Sequence, residues 1–286
     1  MANLSSLLEA RYGITSSGSA APPVAPIAVN PTLEILLQHK SVRNFLPDPL
    51  APGILELLTA AAQSAATSSN LQTWSAVAIT TPSLKSEAAT LCGDQGFIRA
   101  APLFLIFCAD LARLTTTCEK HSTPGIGLEF LEMYTMAVID ASLAAQNACV
   151  AAESLGLGTC YVGAARNRPR ELASLLCLPE RVIALFGLAV GQPDVGGPAA
   201  AVKPRLPQSE MVRRERWRKS INTERKEQAA NLTAYDEALA EFNKKEGRTN
   251  APTWTERSTD RIATIESLHG RDIFRSVLEE RGFDLK

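Results

Sequence analysis

A layered domain of helices and a few strands, α+β or α/β, is the fold class that this 286-residue sequence predicts, and three observations carry it. The stretch from Leu128 to Leu155 is apolar or small on nearly every face of a helical wheel, the mark of a helix buried in a core. Short apolar runs at 76–80, 103–109, 159–162 and 182–191 read as strands set among helical segments. A composition of 45% hydrophobic and 21% charged residues supplies ample core for one large domain, and internal repeats are absent.

Taken in order, residues 1–14 are weakly helical and 15–31 read TSSGSAAPPVAPIAVNP. Prolines among small residues predict a flexible arm over residues 1–30, and no basic-then-apolar signal peptide is present. Asn30 can cap a helix and Pro31 suits its first position, with Leu33, Leu36 and Leu37 forming one apolar face. That helix runs into His39-Lys40-Ser41-Val42-Arg43-Asn44-Phe45, a cationic, hydroxyl-bearing patch that suits either a phosphate clamp or a solvated helix end. A helix over 52–66 then meets Thr67-Ser68-Ser69-Asn70-Leu71-Gln72. Those hydroxyls and amides suit hydrogen bonding to a flat heterocycle, or an ordinary capped turn.

A helix over 82–91, a turn at Gly93-Asp94-Gln95-Gly96 and the strand 103–109 lead to the central helix. Its Ala141, Ser142, Ala144, Ala145, Ala148, Ala151 and Ala152 admit close backbone approach, as at the heart of an interlocked subunit pair. No charge lies between Asp140 and Glu153, but that gap falls short of the roughly 20 apolar residues a bilayer crossing needs, so no membrane span is expected. A strand over 159–162 runs into Gly163, a helix follows over 169–176, and 182–191 reads as a strand buried on both faces. Lys203-Pro204-Arg205-Leu206-Pro207 is a stiff basic segment, either a second anion site or a surface connection. The run Arg213 to Lys219 reads as a solvated face and not a nucleic-acid site, given a net charge of -1 and no nucleic-acid motif. Helices over 222–242, 254–268 and 271–281 carry mixed charge, which places 211–286 as an outer helical layer around a core over 31–210.

Six scattered cysteines without a C-x-x-C pair read as free thiols of a reducing cytoplasm, and no cluster has metal-ligand spacing. Phosphate-loop, H-E-x-x-H, G-x-S-x-G and dinucleotide-fold signatures are absent, and no nucleophile or acid–base pair stands out. If the chain is an enzyme, a bound organic cofactor carries the chemistry.

The segments at 39–45, 67–72, 93–95, 148–163, 186–191 and 203–207, in that order, resemble nitroreductase-family flavoproteins, most of all the oxygen-insensitive, NADPH-preferring nitroreductase and flavin reductase branch. The resemblance implies an α+β fold with a central mixed sheet flanked by helices, in an interleaved homodimer with FMN at its interfaces. It gives His39, Lys40, Ser41, Arg43, Lys203 and Arg205 to the FMN phosphate. Thr67, Ser69, Leu71 and Gln72 would line the ring and ribityl chain, Gln95 would bond the ring's polar edge, and Tyr161, Val162, Gly163 and Ala164 would lie over it. Lys40 and Thr67 stand where relatives often carry Arg and Ser, Ala164 replaces a frequent glycine, and Asn70 an apolar or aromatic residue. The implied activity is hydride transfer from NADPH to a nitroaromatic, a quinone or a similar acceptor in ping-pong turns. Lys245, Arg248 and the 213–219 run are candidates for the NADPH 2'-phosphate. Reduction of free flavin, and flavin binding without turnover, are the alternatives.

Overall fold

The computed structural model describes residues 3–15, 18, 19, 21, 27–197, 200–217 and 221–286. Much of the expected Pro-rich arm, and Arg218 and Lys219 of the basic run, lie outside the described residues. In chain order the elements are α1 (Leu4–Tyr12), β1 (Ile14–Thr15), β2 (Gly18–Ser19), α2 (Pro31–Gln38), α3 (Ile54–Gln63), β3 (Trp74–Ile79), α4 (Pro82–Leu91), α5 (Gly96–Ala100), β4 (Leu103–Asp110), α6 (Ala112–Lys120), α7 (Leu131–Ser154), β5 (Gly158–Val162), α8 (Pro169–Leu175), β6 (Val182–Gly191), α9 (Gln208–Met211), α10 (Ile221–Lys245), α11 (Trp254–Arg261) and α12 (Phe274–Glu280). Contacts divide them into a smaller unit, Met1–Lys40 with Ala201–Ser267, and a larger one, Ser41–Ala200 with Leu268–Lys286.

The larger unit is built on a four-stranded sheet in the order β3-β4-β6-β5, antiparallel at every ladder. A single parallel bridge, Ser41 to Thr159, adds the chain before α3 to its β5 edge. Alternation along β4 sorts the core into two layers: Leu103, Leu105 and Phe107 face α3 and α7, while Phe104, Ile106 and Cys108 face α4 and α8. A bulge between Phe107 and Cys108 leaves Leu185 as the extra residue of β6, so Leu185 and Phe186 both point toward the α7 layer. Gly187 is needed where it stands, since a Cβ there would lie 2.3 Å from the Phe104 ring. An aromatic row crosses all four strands, with Trp74, Phe107, Phe186 and Tyr161 joined by ring separations of 5.9, 5.8 and 5.7 Å.

Helix α7 lies on this row through a face of small residues, Ala137, Ala141, Ala144, Ala145, Ala148 and Ala152, with Asp140 and Cys149 among them. The expectation of burial on every side needs correction: Ile139 and Leu143 remain 51% and 43% exposed. The small residues mark the side that meets the sheet, and the larger apolar ones the side left uncovered among the described residues. By length and composition α7 passes as a candidate membrane span, but its packed face identifies it as the core helix of this unit. Part of the closing segment is also core, because Val277, Leu278 and Phe283 are buried and the Phe283 ring meets Tyr134 edge-on at 5.6 Å.

The smaller unit contains α1, the β1–β2 hairpin, α2, α9, α10 and α11. Asn30 caps α2 by accepting from Leu33 N at 2.9 Å, with Pro31 at its start, as the sequence predicts. Helix α1 buries Leu7, Leu8 and Arg11 on one face and ends at Gly13, whose left-handed backbone (φ 80°) packs so close to α10 that a Cβ would lie 2.9 Å from Ala238.

Candidate functional site

In the larger unit, two clusters of site residues stand at opposite edges of the sheet. At the β5 edge, Val42 N donates to Thr159 O (2.8 Å), Leu46 N to Gln192 O (2.9 Å) and Asp194 N to Asn44 O (2.9 Å), which fixes the segment 41–46 from both sides. Val42 and Phe45 are buried, and Ser41 and Arg43 are exposed. The Arg43 guanidinium stands over the Phe97 ring at 5.9 Å, on the helix that follows Gln95. Gln95 donates its amide Nε2 to Cys92 O at 2.9 Å and is half-buried. A Cβ on Gly93 would lie 3.5 Å from the Ala164 Cβ, so the turn at 93–95 adjoins the one at 163–166. Three of the predicted segments are therefore brought together here. Val162 is buried, and the Tyr161 ring turns toward α7, where its hydroxyl donates to Gln146 at 3.4 Å. Tyr161, Gly163 and Ala164 are half-buried.

The loop from Thr67 to Thr73 stands before β3, at the far edge, three strand spacings or about 14 Å from β5. Ser69, Asn70 and Gln72 all adopt positive φ (49°, 56° and 50°), an unfavourable conformation for residues with a Cβ. What holds them is Asp140, 1% exposed on α7. Its Oδ2 accepts from Thr67 Oγ1 (2.5 Å), Thr73 N (3.1 Å) and Thr73 Oγ1 (3.0 Å), and its Oδ1 from Ser68 N (3.2 Å). From the other side Arg113 of α6 donates Nη1 to Gln72 O (2.6 Å) and Nη2 to Ser75 Oγ (2.9 Å) and Asp110 (3.1 Å). The Thr67 hydroxyl is fully engaged, since it also accepts from Gln72 N at 2.9 Å. The side chains of Ser69 and Asn70 are exposed and, among the described residues, have no hydrogen-bond partner.

The cationic residues of the smaller unit are gathered by a residue the sequence reading did not single out. Arg11 donates Nη2 to Leu37 O (2.7 Å) and His39 O (3.0 Å) and Nη1 to Lys203 O (3.3 Å), and its own carbonyl accepts from Arg205 N (2.8 Å). His39 and the Lys203–Arg205 segment are thereby brought together. Arg205 itself donates Nη1 to Lys203 O and Pro204 O (3.0 and 3.3 Å), and Lys40, Lys203 and Arg205 are exposed. The basic run lines a cleft of about 470 Å³ with Gln208, Ser209, Val212, Arg213, Arg214 and Arg216. Arg213 pairs with Glu210 (3.6 Å) and lies over Trp217 (5.2 Å). Lys245 pairs with Glu241 (3.9 Å), and Arg248 lies over Phe242 (5.4 Å).

Burial pushes the thiols of Cys92, Cys108 and Cys149 up to about 12, so none is a nucleophile near neutral pH. Burial also raises the Cys160 thiol, against the opposing pull of Arg43, and raises the Tyr161 phenol.

Comparison with known proteins bears on this arrangement. Residues 36–191 match the model of the nitroreductase family, and residues 203–286 that of the nitroreductase family's C-terminal domain. The chain belongs to the nitroreductase family. An FMN reductase (NADPH) of Bacillus subtilis is 34% identical over 260 residues, 90% of this chain and 99% of that one. An oxygen-insensitive NADPH nitroreductase of Salmonella typhimurium is 36% identical over 229 residues, 80% of this chain and 89% of that one. The solved structure of an NADPH:FMN oxidoreductase from Vibrio harveyi complexed with NAD+ superposes with a TM-score of 0.76 at 30% identity, covering 90% of this chain and all of that one. Arg11 lies ahead of the stretches that the nitroreductase models match, whereas Asp140 and Arg113 lie within them.

Proposed function

We propose that this nitroreductase-family chain is an FMN-dependent NAD(P)H oxidoreductase, with NADPH the preferred donor and nitroaromatics, quinones or related electron-poor molecules as acceptors. The observation that carries the reading is the likeness to an NADPH-dependent FMN reductase over 90% of the chain. Two features of the structure fit FMN. The smaller unit gathers His39 with Lys203 and Arg205, the donor set a phosphate takes. The larger unit holds a loop whose Ser69 and Asn70 side chains are unengaged and exposed, as contacts to a polar heterocycle require.

FMN, when bound, would supply two-electron hydride transfer between donor and acceptor bound in turn. The chain's own share is binding and electrostatics. His39, Lys40, Ser41, Arg43, Lys203 and Arg205 would hold the phosphate. Ser69, Leu71 and Gln72 would line the ring and ribityl chain, Gln95 its polar edge, and Gly163 and Ala164 its exposed face. Thr67 serves from behind, since its hydroxyl is spent on Asp140 and Gln72 N. The arginine-lined cleft beside α9 would take the 2'-phosphate of NADPH.

The placement of the two clusters at opposite sheet edges supports a homodimer in which each FMN is met by both subunits, with the exposed Ile139 and Leu143 of α7 covered by the partner. Free thiols at all six cysteines suit a reducing cytoplasm. Steady-state NADPH oxidation with a panel of acceptors tests the activity. Turnover with nitroaromatics or quinones, and a weaker rate with NADH, is the expected outcome; no acceptor-dependent oxidation of either nucleotide contradicts it. Sedimentation tests the assembly, and a stable monomer would refute it.

A further inference from the structure

We infer that Arg11, on the helix that precedes the family-matched region, is a positioning residue that fixes the cations assigned to the FMN phosphate; this rests on that assignment. Helix α2 ends without a basic residue in its last turn, so its final carbonyls present the negative end of the helix dipole beside His39 and Lys40. An anion held by these residues would face those carbonyls. Arg11, only 8% exposed, takes up one of them, Leu37 O, together with the carbonyl of the capping residue His39, with one guanidinium nitrogen, at 2.7 and 3.0 Å.

The same side chain reaches Lys203 O at 3.3 Å. Lys203-Pro204-Arg205-Leu206-Pro207 cannot be held by a helix or sheet ladder, because Pro204 and Pro207 lack an N–H. Its backbone is fixed instead by Arg205 N donating to Arg11 O (2.8 Å) and by the buried Tyr235 hydroxyl donating to Pro204 O (3.0 Å). Pro204 is thereby buried while Lys203 and Arg205 are turned outward. Helix α1 can carry this function because it is itself docked: Leu7 and Leu8 are buried beside Arg11, and the Tyr12 hydroxyl accepts from Gln208 Nε2 at 3.0 Å. One planar, five-donor group thus sets the spacing of two cationic segments about 160 residues apart, a task a lysine's point charge performs poorly.

The test compares FMN with riboflavin, which lacks the phosphate, in Arg11→Met, Arg11→Lys and unsubstituted full-length protein, with affinity read from flavin fluorescence and folding from circular dichroism. The unsubstituted protein should bind FMN more tightly than riboflavin. Arg11→Met should weaken FMN about tenfold or more while riboflavin changes less than about twofold, because only phosphate contacts are disturbed. Arg11→Lys should recover part of the loss. An unaltered FMN-to-riboflavin ratio in a folded Arg11→Met protein overturns the inference, as does equal weakening of both flavins. Should Arg11→Met not fold, the same ratio in Arg11→Lys decides, with no decrease counting against the proposal. Equal affinity for the two flavins in the unsubstituted protein overturns the phosphate assignment itself, an outcome distinct from a failure of Arg11.

Discussion

The loop at Thr67–Thr73 and the cationic segments at 37–40 and 203–205 are each held by one buried charge, of opposite sign in the two. Asp140 collects hydrogen-bond donors: two backbone N–H groups and two hydroxyls. Arg11 collects acceptors: three carbonyls. The loop is under local strain, three residues with positive φ at roughly 1–2 kcal/mol each, and charge-assisted bonds to a desolvated carboxylate are of the size needed to offset it. The cationic segments show no such strain; what they lack is a ladder of their own, so Arg11 supplies connection and charge compensation. Asp140 should therefore matter to the fold as well as to the site, and Arg11 to the site chiefly.

The largest expected effect is that of Asp140→Asn, which turns an amide toward donors that need an acceptor. Urea unfolding should show a loss of about 3–5 kcal/mol, with flavin retention falling alongside. A loss under about 1 kcal/mol would break the contrast with Arg11. Next come Arg43→Ala and Arg205→Ala, each removing a charge-assisted contact of about 1.5–3 kcal/mol to the FMN phosphate, read as FMN affinity, with little change in stability because both side chains are exposed. Unchanged FMN affinity in both would remove the phosphate assignment.

A finer cut lies within the loop. Thr67→Val should lower stability by about 1 kcal/mol, since its hydroxyl both donates and accepts inside the fold, whereas Ser69→Ala should leave stability within about 0.5 kcal/mol and weaken flavin binding. The reverse pattern would mean that the inward and outward roles are exchanged. Near neutral pH the smallest effects concern thiols. Cys92, Cys108 and Cys149 are raised from 9.0 to about 12 in the fold, so between those values the folded state binds more protons than the unfolded one. Stability should be unaffected by these groups below pH 9 and decline as pH rises from 9 toward 12. At pH 8, maleimide labelling followed by mass spectrometry should find Cys177 first, then Cys118, with Cys149 protected. Asp140→Asn should expose Cys149 on the same helix, and Arg11→Met should not.

Much of the fold was legible because its signals are local. Asn30-Pro31 announced α2, β4 stood out as an apolar run and β6 as one buried on both faces. Helix α6 was not legible: ARLTTTCEK is crowded with β-branched threonines, and its place is set by Arg113 reaching back to the loop. Nor was the aromatic row, because Trp74, Phe107, Phe186 and Tyr161 are far apart along the chain and meet only through strand register. The one-sided burial of α7 was hidden because alanine and isoleucine count alike as apolar on a helical wheel, though only the small residues permit close approach to the sheet.

At the site, the cationic segments were visible through charge density and the loop through its run of hydroxyls and amides. Their supports were not. Asp140 and Arg11 are single charges in apolar or small-residue surroundings, and such a residue reads as solvent-exposed until the fold buries it. The direction of Thr67 was equally hidden, since an inward and an outward threonine have the same composition.

Whether these segments serve a bound flavin reduced by NADPH is decided by anaerobic titration of the purified protein with NADPH while its visible absorption is followed. The protein should be yellow, with a flavin band that is lost as NADPH is added and returns when a quinone or nitroaromatic follows. A colourless protein that takes up no added FMN, or a flavin band that NADPH leaves unchanged, would contradict it.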